Sequence, residues 1–149
     1  MALNMFKKYT ESLTREWPVA ADTQSGVVVI HSLSGQVGVT LTARGDSTKS
    51  QDLPGELILS GIRNGGVGNK ANSATVAVDG SWLLSVTGVT AGDTNPETGT
   101  AGTPVGTAVY RDPDDGSITL VETDNTKIGV IDDGVIVSGV APVLIGAVL

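Results

Sequence analysis

Residues 106–134 read GTAVYRDPDDGSITLVETDNTKIGVIDDG, and this stretch decides the fold class. Its β-branched and aromatic residues alternate roughly with polar ones, as in a half-buried antiparallel sheet. The segment DPDDG at 112–116 is typical of a turn, because Pro fixes φ and Gly permits φ above zero. Asp124 and Asn125 tolerate a left-handed backbone in a similar way. We therefore predict a three-stranded meander with strands at 107–111, 117–122 and 127–131.

Two further hairpins are predicted on the N-terminal side of the meander. The apolar runs 26–32 and 37–43 are separated by the linker 33–36, which has the length of a hairpin connection, and the first run is expected to be buried on both faces. The second hairpin is expected from 74–78 and 81–86, because Asp-Gly between two apolar runs is a strong hairpin signal.

Two stretches, 44–72 and 88–104, are rich in Gly and poor in large apolar residues, and we predict long loops there, with one strand candidate at 56–60. The chain as a whole then has about eight to ten short strands and little helix. These features predict an all-β fold, a small β-barrel or closed sandwich that hides its sheet edges. At 149 residues the chain fits one domain, residues 20–149, preceded by an N-terminal arm, residues 1–19.

The arm contains three of the five aromatic residues of the chain. Its large apolar residues are spaced by three or four positions, the period of a helix face, but Pro18 prevents a helix from continuing. We predict that 1–11 is irregular or briefly helical and that 12–19 is extended. Aromatic residues are favoured anchors at protein interfaces, so intermolecular contact is expected, while packing of the arm on its own domain remains an alternative. The candidate contact residues are Leu3, Phe6, Tyr9, Leu13 and Trp17.

Residues 135–149 are almost entirely apolar. Pro142 is expected to divide them into a short strand, 135–137, and a closing strand, 143–149. A chain end this apolar is normally paired into a sheet or covered by a neighbour. The candidate contact residues here are Val143, Leu144, Ile145 and Leu149.

Composition and charge exclude several function classes. The formal net charge is −7, which argues against binding to phosphate backbones, since such binding depends on Lys and Arg. Cysteine is absent, so disulfides, thiol catalysis and Cys-ligated zinc are excluded. No apolar run reaches the length of a membrane span, and no secretory signal is recognised at the N-terminus. We expect no nucleic-acid or membrane partner, and synthesis and use in the host cytoplasm.

The candidate catalytic, metal-binding and nucleotide-binding motifs lack the residues or the spacing that these sites require. His31 is the only histidine, so no imidazole pair is available for a metal, and no nucleophile motif surrounds it. The acidic turn at 112–116 departs from the calcium-loop register, because Gly comes at position 5 and Thr123 stands where a Glu is needed. The Gly-rich segment 61–68 matches neither a P-loop nor a dinucleotide fingerprint. We therefore expect no catalytic residue, no metal site and no cofactor.

Five short motifs in fixed order resemble those of the capsid cement (head decoration) proteins of tailed bacteriophages. They are SGVVV at 25–29, GVTLT at 38–42, DGSWLL at 79–84, GTAVY at 106–110 and TKIGV at 126–130. The chain departs from the family pattern at Thr40 and Ile131, where the family usually has Ala, and in the length of its loops at 44–72 and 88–104.

The resemblance implies a non-enzymatic β-barrel protein on the exterior of the virion, joined to the assembled head in the host cytoplasm. Its partners would be the major capsid protein and further copies of itself, as homotrimers at three-fold and quasi-three-fold positions. There it would stabilise the shell against the pressure of packaged DNA, with the arm lying across capsid subunits. Deletion of residues 2–17 is then expected to leave a folded protein that no longer binds.

Two other functions remain open from the sequence. The chain is alternatively a phage surface module that recognises a host glycan or receptor through the loops 44–72 and 88–104. A small hydrolase would require a pocket that joins His31 to a carboxylate and a hydroxyl.

Overall fold

The computed structural model describes residues 5–7, 14–45, 71–97 and 99–146, and every regular element in these ranges is a β-strand. The all-β prediction is thus confirmed. Within the same ranges, no helix is long and apolar enough to cross a membrane. The strands are β1 (Met5–Lys7), β2 (Thr14–Pro18), β3 (Val28–Ile30), β4 (Val37–Thr40), β5 (Ser73–Ala77), β6 (Gly80–Ser85), β7 (Gly92–Asp93), β8 (Ala108–Arg111), β9 (Ile118–Thr119), β10 (Thr126–Ile131), β11 (Val135–Ile136) and β12 (Val140–Ile145).

The backbone forms two compact units. Unit 1 contains the described residues of Ser12–Val78, and unit 2 contains those of Asn4–Glu11 and Asp79–Leu149. The division predicted from the sequence, an arm at 1–19 and one domain at 20–149, stays a prediction.

Unit 1 is an antiparallel sheet in the order β2-β5-β4-β3. The predicted hairpin of β3 and β4 is confirmed, with Val28 opposite Val39 and Ile30 opposite Val37. Burial of β3 on both faces is only partly observed, because Val28 is buried whereas Val29 and Ile30 are half-buried. The extended conformation predicted for 12–19 is confirmed over Thr14–Pro18, an edge strand of this sheet, as Pro18 favours.

The described residues on either side of 46–70 are hydrogen-bonded to each other. Asn72 N donates to Gly45 O (2.9 Å), and Gly45 N donates to Ser73 O (2.8 Å). Residues 46–70 between them, with the strand candidate 56–60, lie outside the described residues.

Unit 2 contains a six-stranded antiparallel sheet, β1-β6-β12-β10-β8-β9, which curls as a half-barrel. Strands β1 and β9 stand at its two ends, so the described pairings do not close it, and the closed small barrel is not confirmed. Residues 5–7, predicted as irregular or briefly helical, instead form the strand β1 along β6. The buried residues of the unit include Trp82, Val109, Ile128, Ile131, Ile136, Val143 and Ile145.

The meander prediction is correct in its first hairpin and wrong in its order. Strands β8 and β9 pair as expected, but β10 pairs with β8 and β12 rather than with β9. Strand β9 extends only over Ile118–Thr119, and Thr87 N donates to Ile118 O (2.8 Å). Residue 87 is therefore bonded to the side of β9 with which β10 would pair in a meander.

The hairpin predicted across Asp79-Gly80 does not form. Strand β5 pairs with β2 and β4, whereas β6 pairs with β1 and β12. A two-residue type I′ turn needs positive φ at both central residues. Only Gly80 has it (φ 100°), and Asp79 does not.

Pro142 does not divide the C-terminal segment, contrary to the prediction. It lies inside β12, opposite Leu83 of β6, and the break occurs earlier, at Ser138-Gly139. On the β10 side the Pro142 carbonyl accepts from Asp132 N (2.8 Å), just beyond the last ladder pair of β10 and β12. The missing N–H of proline therefore falls at the end of this ladder, where it removes only one bond.

Candidate functional site

A tight hairpin of unit 2 connects β11 to β12. Val137 N donates to Val140 O (3.1 Å) and Val140 N donates to Val137 O (2.9 Å), which closes the hairpin on the two residues between them. Ser138 and Gly139 have φ values of 51° and 77°, the positive pair that a type I′ turn requires. Strand β11 is held on its other side by β7, with Val135 opposite Asp93.

Three valines of this hairpin lie on one face and are exposed to solvent. Val135 is 57% exposed, Val137 61% and Val140 36%. Val135 and Val137 are two residues apart on an extended chain, and Val140 is directly across from Val137, so all three side chains point to the same side. Ile136 points to the opposite side and is 1% exposed. We call Val135, Val137 and Val140 the valine face.

The strands that form the valine face, and the strand β6 beside them, contain no charged side chain. Residues 80–92 and 134–146, which supply β6, β11 and β12, contain no charged side chain. Asp93 of β7 is directly opposite Val135, so its carboxylate points to the same side of the two-stranded sheet. Asp93 Oδ1 accepts a hydrogen bond from Asn95 N (2.9 Å), which orients the carboxylate. The face is therefore apolar with an acidic residue at its border.

None of the residues predicted from the sequence as contact sites belongs to the valine face as defined by Val135, Val137 and Val140. Trp17 is 4% exposed and packs with Val76 and Val78 in the core of unit 1. For Phe6 the structure describes only the backbone, in β1, and Leu3, Tyr9, Leu13 and Leu149 lie outside the described residues. In β12, Val143 and Ile145 are buried and Leu144 is half-buried. Partner contact at these positions stays a prediction, and Trp17, Val143 and Ile145 already have partners within the chain.

His31 holds a turn together. Its Nδ1 accepts a hydrogen bond from Ser34 N (3.2 Å) and lies 3.0 Å from Ser34 Oγ. Its ring lies against the Trp17 indole, with centroids 5.2 Å apart. These contacts give the histidine a structural role in the β3–β4 connection.

The acidic turn between β8 and β9 is stabilised by its own carboxylates. Asp112 Oδ1 accepts from Asp114 N (2.8 Å), and Asp115 Oδ1 accepts from Ser117 N (2.7 Å). Hydrogen bonds from the backbone and side chain of Ser117, together with the charge of Arg111, lower the pKa of Asp115 below its ordinary value of 3.8. Across the described ranges, no group of three or more His, Cys, Asp or Glu side chains is placed to hold a metal ion.

Sequence reasoning missed the valine face because it placed the break in the apolar segment 135–149 at Pro142 rather than at Ser138-Gly139. The signal was Ser138-Gly139 between two apolar runs, a pair typical of a tight hairpin. Once that turn is placed, the alternation Val135, Ile136, Val137 predicts two valines on one side. No protein-family model matches the chain, and no curated protein or solved structure shows significant similarity to it.

Proposed function

We propose that the chain is a non-enzymatic protein that attaches to the outer surface of an assembled bacteriophage head and stabilises contacts between major capsid protein subunits. The observation that carries this proposal is the valine face, an apolar surface on a chain with a net charge of −7. The five motifs that resemble head decoration proteins supply the identity of the partner. The small closed barrel and the homotrimer that the resemblance implies belong to the same proposal.

Apolar burial would supply the binding energy. A fully buried Val contributes about 1.5–3 kcal/mol relative to an exposed one, so three half-exposed valines supply only a modest affinity at a single contact. A trimer that bridges several shell subunits multiplies this affinity, because release of one contact leaves the others in place. A weak face is therefore sufficient for stable attachment to a repeating surface.

The competing function, glycan recognition by the loops, has less support from the chain. Neither 44–72 nor 88–104 contains an aromatic residue on which a sugar ring would stack. In the described part of the second loop, Asp93 N donates to Thr100 O (2.9 Å) and Gly102 N donates to Asp93 O (2.8 Å). These bonds fold the loop onto its own backbone.

Co-sedimentation with capsids tests the proposal. The purified protein is mixed with expanded, DNA-free heads of the virus that encodes it, and we expect it to sediment with them at a fixed, saturable ratio to the shell protein. Unexpanded precursor heads are the control, since we propose binding to the assembled, expanded head. Failure to sediment with expanded heads at micromolar concentration would contradict the proposed function.

A further inference from the structure

We infer that the valine face docks on a partner surface that is apolar at its centre and carries a lysine or arginine opposite Asp93. This inference rests on the proposed function, because it specifies the chemistry of the capsid surface that the protein contacts. The partner protein, rather than a second copy of this chain or a glycan, is expected to cover the valine face.

The shape of the face calls for an apolar counterpart. The Ser138-Gly139 turn and the hydrogen bonds between Val137 and Val140 fix the positions of the valines before binding. Val is short and its χ1 is restricted, so little side-chain entropy is lost when such a face is covered. Preorganisation of this kind favours binding to a shallow apolar surface.

The carboxylate of Asp93, at the border of the valine face, favours a partner with a basic side chain at this position. Asp93 lies beside Val135, and its orientation is fixed by Asn95 N. A lysine or arginine across the interface would pair with this carboxylate at the edge of an apolar contact, where electrostatic complementarity fixes orientation and increases the association rate. The chain itself offers little opposing positive charge, with 9 Lys and Arg against 16 Asp and Glu.

The same charge disfavours a second copy on this face. Two copies that met through their valine faces would bring together bodies that each carry −7, and residues 80–92 and 134–146 of neither copy would offer a lysine or arginine to Asp93 of the other. Like-charge contacts of this type are costly and disfavour an interface. If the protein is a trimer, we therefore place the contacts between copies outside the valine face.

A matched pair of variants tests the location of the contact. Val137 and Val121 are exposed to 61% and 57%, both lie in unit 2, and only Val137 belongs to the face. We expect Val137→Asp to weaken binding to expanded heads by at least about tenfold, equivalent to ~1.4 kcal/mol, with Val121→Asp close to wild type. Equal binding by wild type and Val137→Asp would overturn the inference while leaving the proposed function intact.

Asp93→Asn tests the basic partner. This variant removes the charge and retains an oxygen that can accept from Asn95 N. We expect weaker binding at low salt and a smaller loss of affinity as salt is raised, because the screened ion pair is gone. An unchanged salt dependence would overturn the assignment of a lysine or arginine at this border.

A capsid-independent measurement separates the two proposals. A synthetic apolar peptide flanked by lysines, and the same peptide flanked by glutamates, are titrated into the labelled protein, and amide chemical shifts are followed by NMR. We expect shift changes at 135–140 with the lysine peptide only, and loss of these changes in Val137→Asp. If the heads do not bind but the peptide result holds, the proposed function fails and the inference about partner chemistry stands. If neither peptide perturbs 135–140, the inference fails.

Analytical ultracentrifugation tests whether a second copy of this chain binds to the valine face. We expect wild type and Val137→Asp to have the same oligomeric state. Dissociation of a wild-type oligomer by Val137→Asp would assign the face to a second copy and overturn the inference.

Discussion

The Thr94 hydroxyl donates a hydrogen bond to the main-chain oxygen of Asp132 (3.0 Å). In a continuous ladder this oxygen would accept from the residue opposite, which is Pro142, but proline has no N–H. Thr94 Oγ1 also accepts from Gly134 N (2.9 Å), so one hydroxyl satisfies two backbone groups where β10 ends. A side chain from the 88–104 segment thus compensates for a proline inside β12.

We predict that Thr94→Val lowers the free energy of unfolding by about 1–3 kcal/mol, because it removes the two hydrogen bonds that the hydroxyl makes with Asp132 O and Gly134 N. Thr94 is 2% exposed, so water does not readily replace the hydroxyl. Urea denaturation followed by circular dichroism measures the change. Thr94→Ser is the control, since it keeps the hydroxyl, and a loss as large as that of the Val variant would show that packing of the methyl group dominates.

Gly129 of β10 packs directly against the backbone of Leu144 in β12. A Cβ at this position would collide with the Leu144 carbonyl and come within 3.4 Å of Val143 Cγ1, and both strands are paired with a neighbour on each side. We predict that Gly129→Ala destabilises the protein by about 1–3 kcal/mol, the usual cost of overpacking, or more because the contact is with backbone.

Gly35→Ala is the control for Gly129→Ala. Gly35 has a φ of 69° but nothing within 4 Å of an added Cβ, so its substitution reports the backbone cost alone, about 1 kcal/mol. Equal losses in the two variants, measured by urea denaturation, would contradict a steric role for Gly129.

The two Gly-containing turns explain how far the sequence predicts this fold. Asp-Gly at 79–80 is the stronger local signal, yet β5 and β6 pair with other strands and Asp79 keeps a negative φ. Ser-Gly at 138–139 is the weaker signal and forms the type I′ turn. The preference of Asp-Gly for a turn stabilises the chain less than the pairing of β6 with all six residues of β12. Such long-range pairing cannot be recognised in a single sequence.

Composition, alternation and Pro18 predicted the all-β class, the β3–β4 hairpin and the extended conformation at 14–18. They did not predict the candidate site. Apolar residues in 135–149 are equally compatible with burial and exposure, and only the register separates buried Ile136 from exposed Val135 and Val137. The move of the break from Pro142 back to Ser138-Gly139 does not change the fold class, but it determines which side chains form the site.

The Asp115 carboxylate gives a pH-dependent contribution to stability. Its pKa in the folded chain is lowered below 3.8, mainly by the hydrogen bond from Ser117 N. A lowered folded pKa means that the charged form stabilises the fold, so the contribution is fully present above pH 3.8 and is lost as the pH falls through the lower, folded value. We predict that the stability difference between wild type and Asp115→Asn disappears in acid.

NMR titration of the Asp115 carboxyl measures this pKa directly. Ser117→Ala is the matched control, because it removes the side-chain hydrogen bond and keeps the backbone donor. We expect the pKa to rise part of the way in Ser117→Ala and to remain below 3.8. A pKa at or above 3.8 in wild type would show that the turn does not hold the carboxylate.

The packing of Trp17 indicates whether the N-terminal segment can be removed without unfolding unit 1. Its indole is 4% exposed and packs with Val76, Val78 and His31, and β2 is paired to β5 from Thr14 to Pro18. We predict that Trp17→Ala destabilises unit 1 by about 3–5 kcal/mol, the typical cost of removing a buried aromatic side chain, and that Trp17→Phe costs less. Deletion of residues 2–17 would remove most of β2 as well, so the structure predicts unfolding of unit 1 rather than the folded, non-binding protein expected from the sequence.

Amide hydrogen exchange distinguishes these outcomes, because protection of β4 and β5 reports unit 1 and protection of β10 and β12 reports unit 2. We expect Trp17→Ala to reduce protection in β4 and β5 by a larger factor than in β10 and β12. Full protection in β4 and β5 together with loss of head binding would contradict this expectation. That result would show that Trp17 contacts the partner and that its removal from the core does not destabilise unit 1. The arm would then again be the candidate contact site.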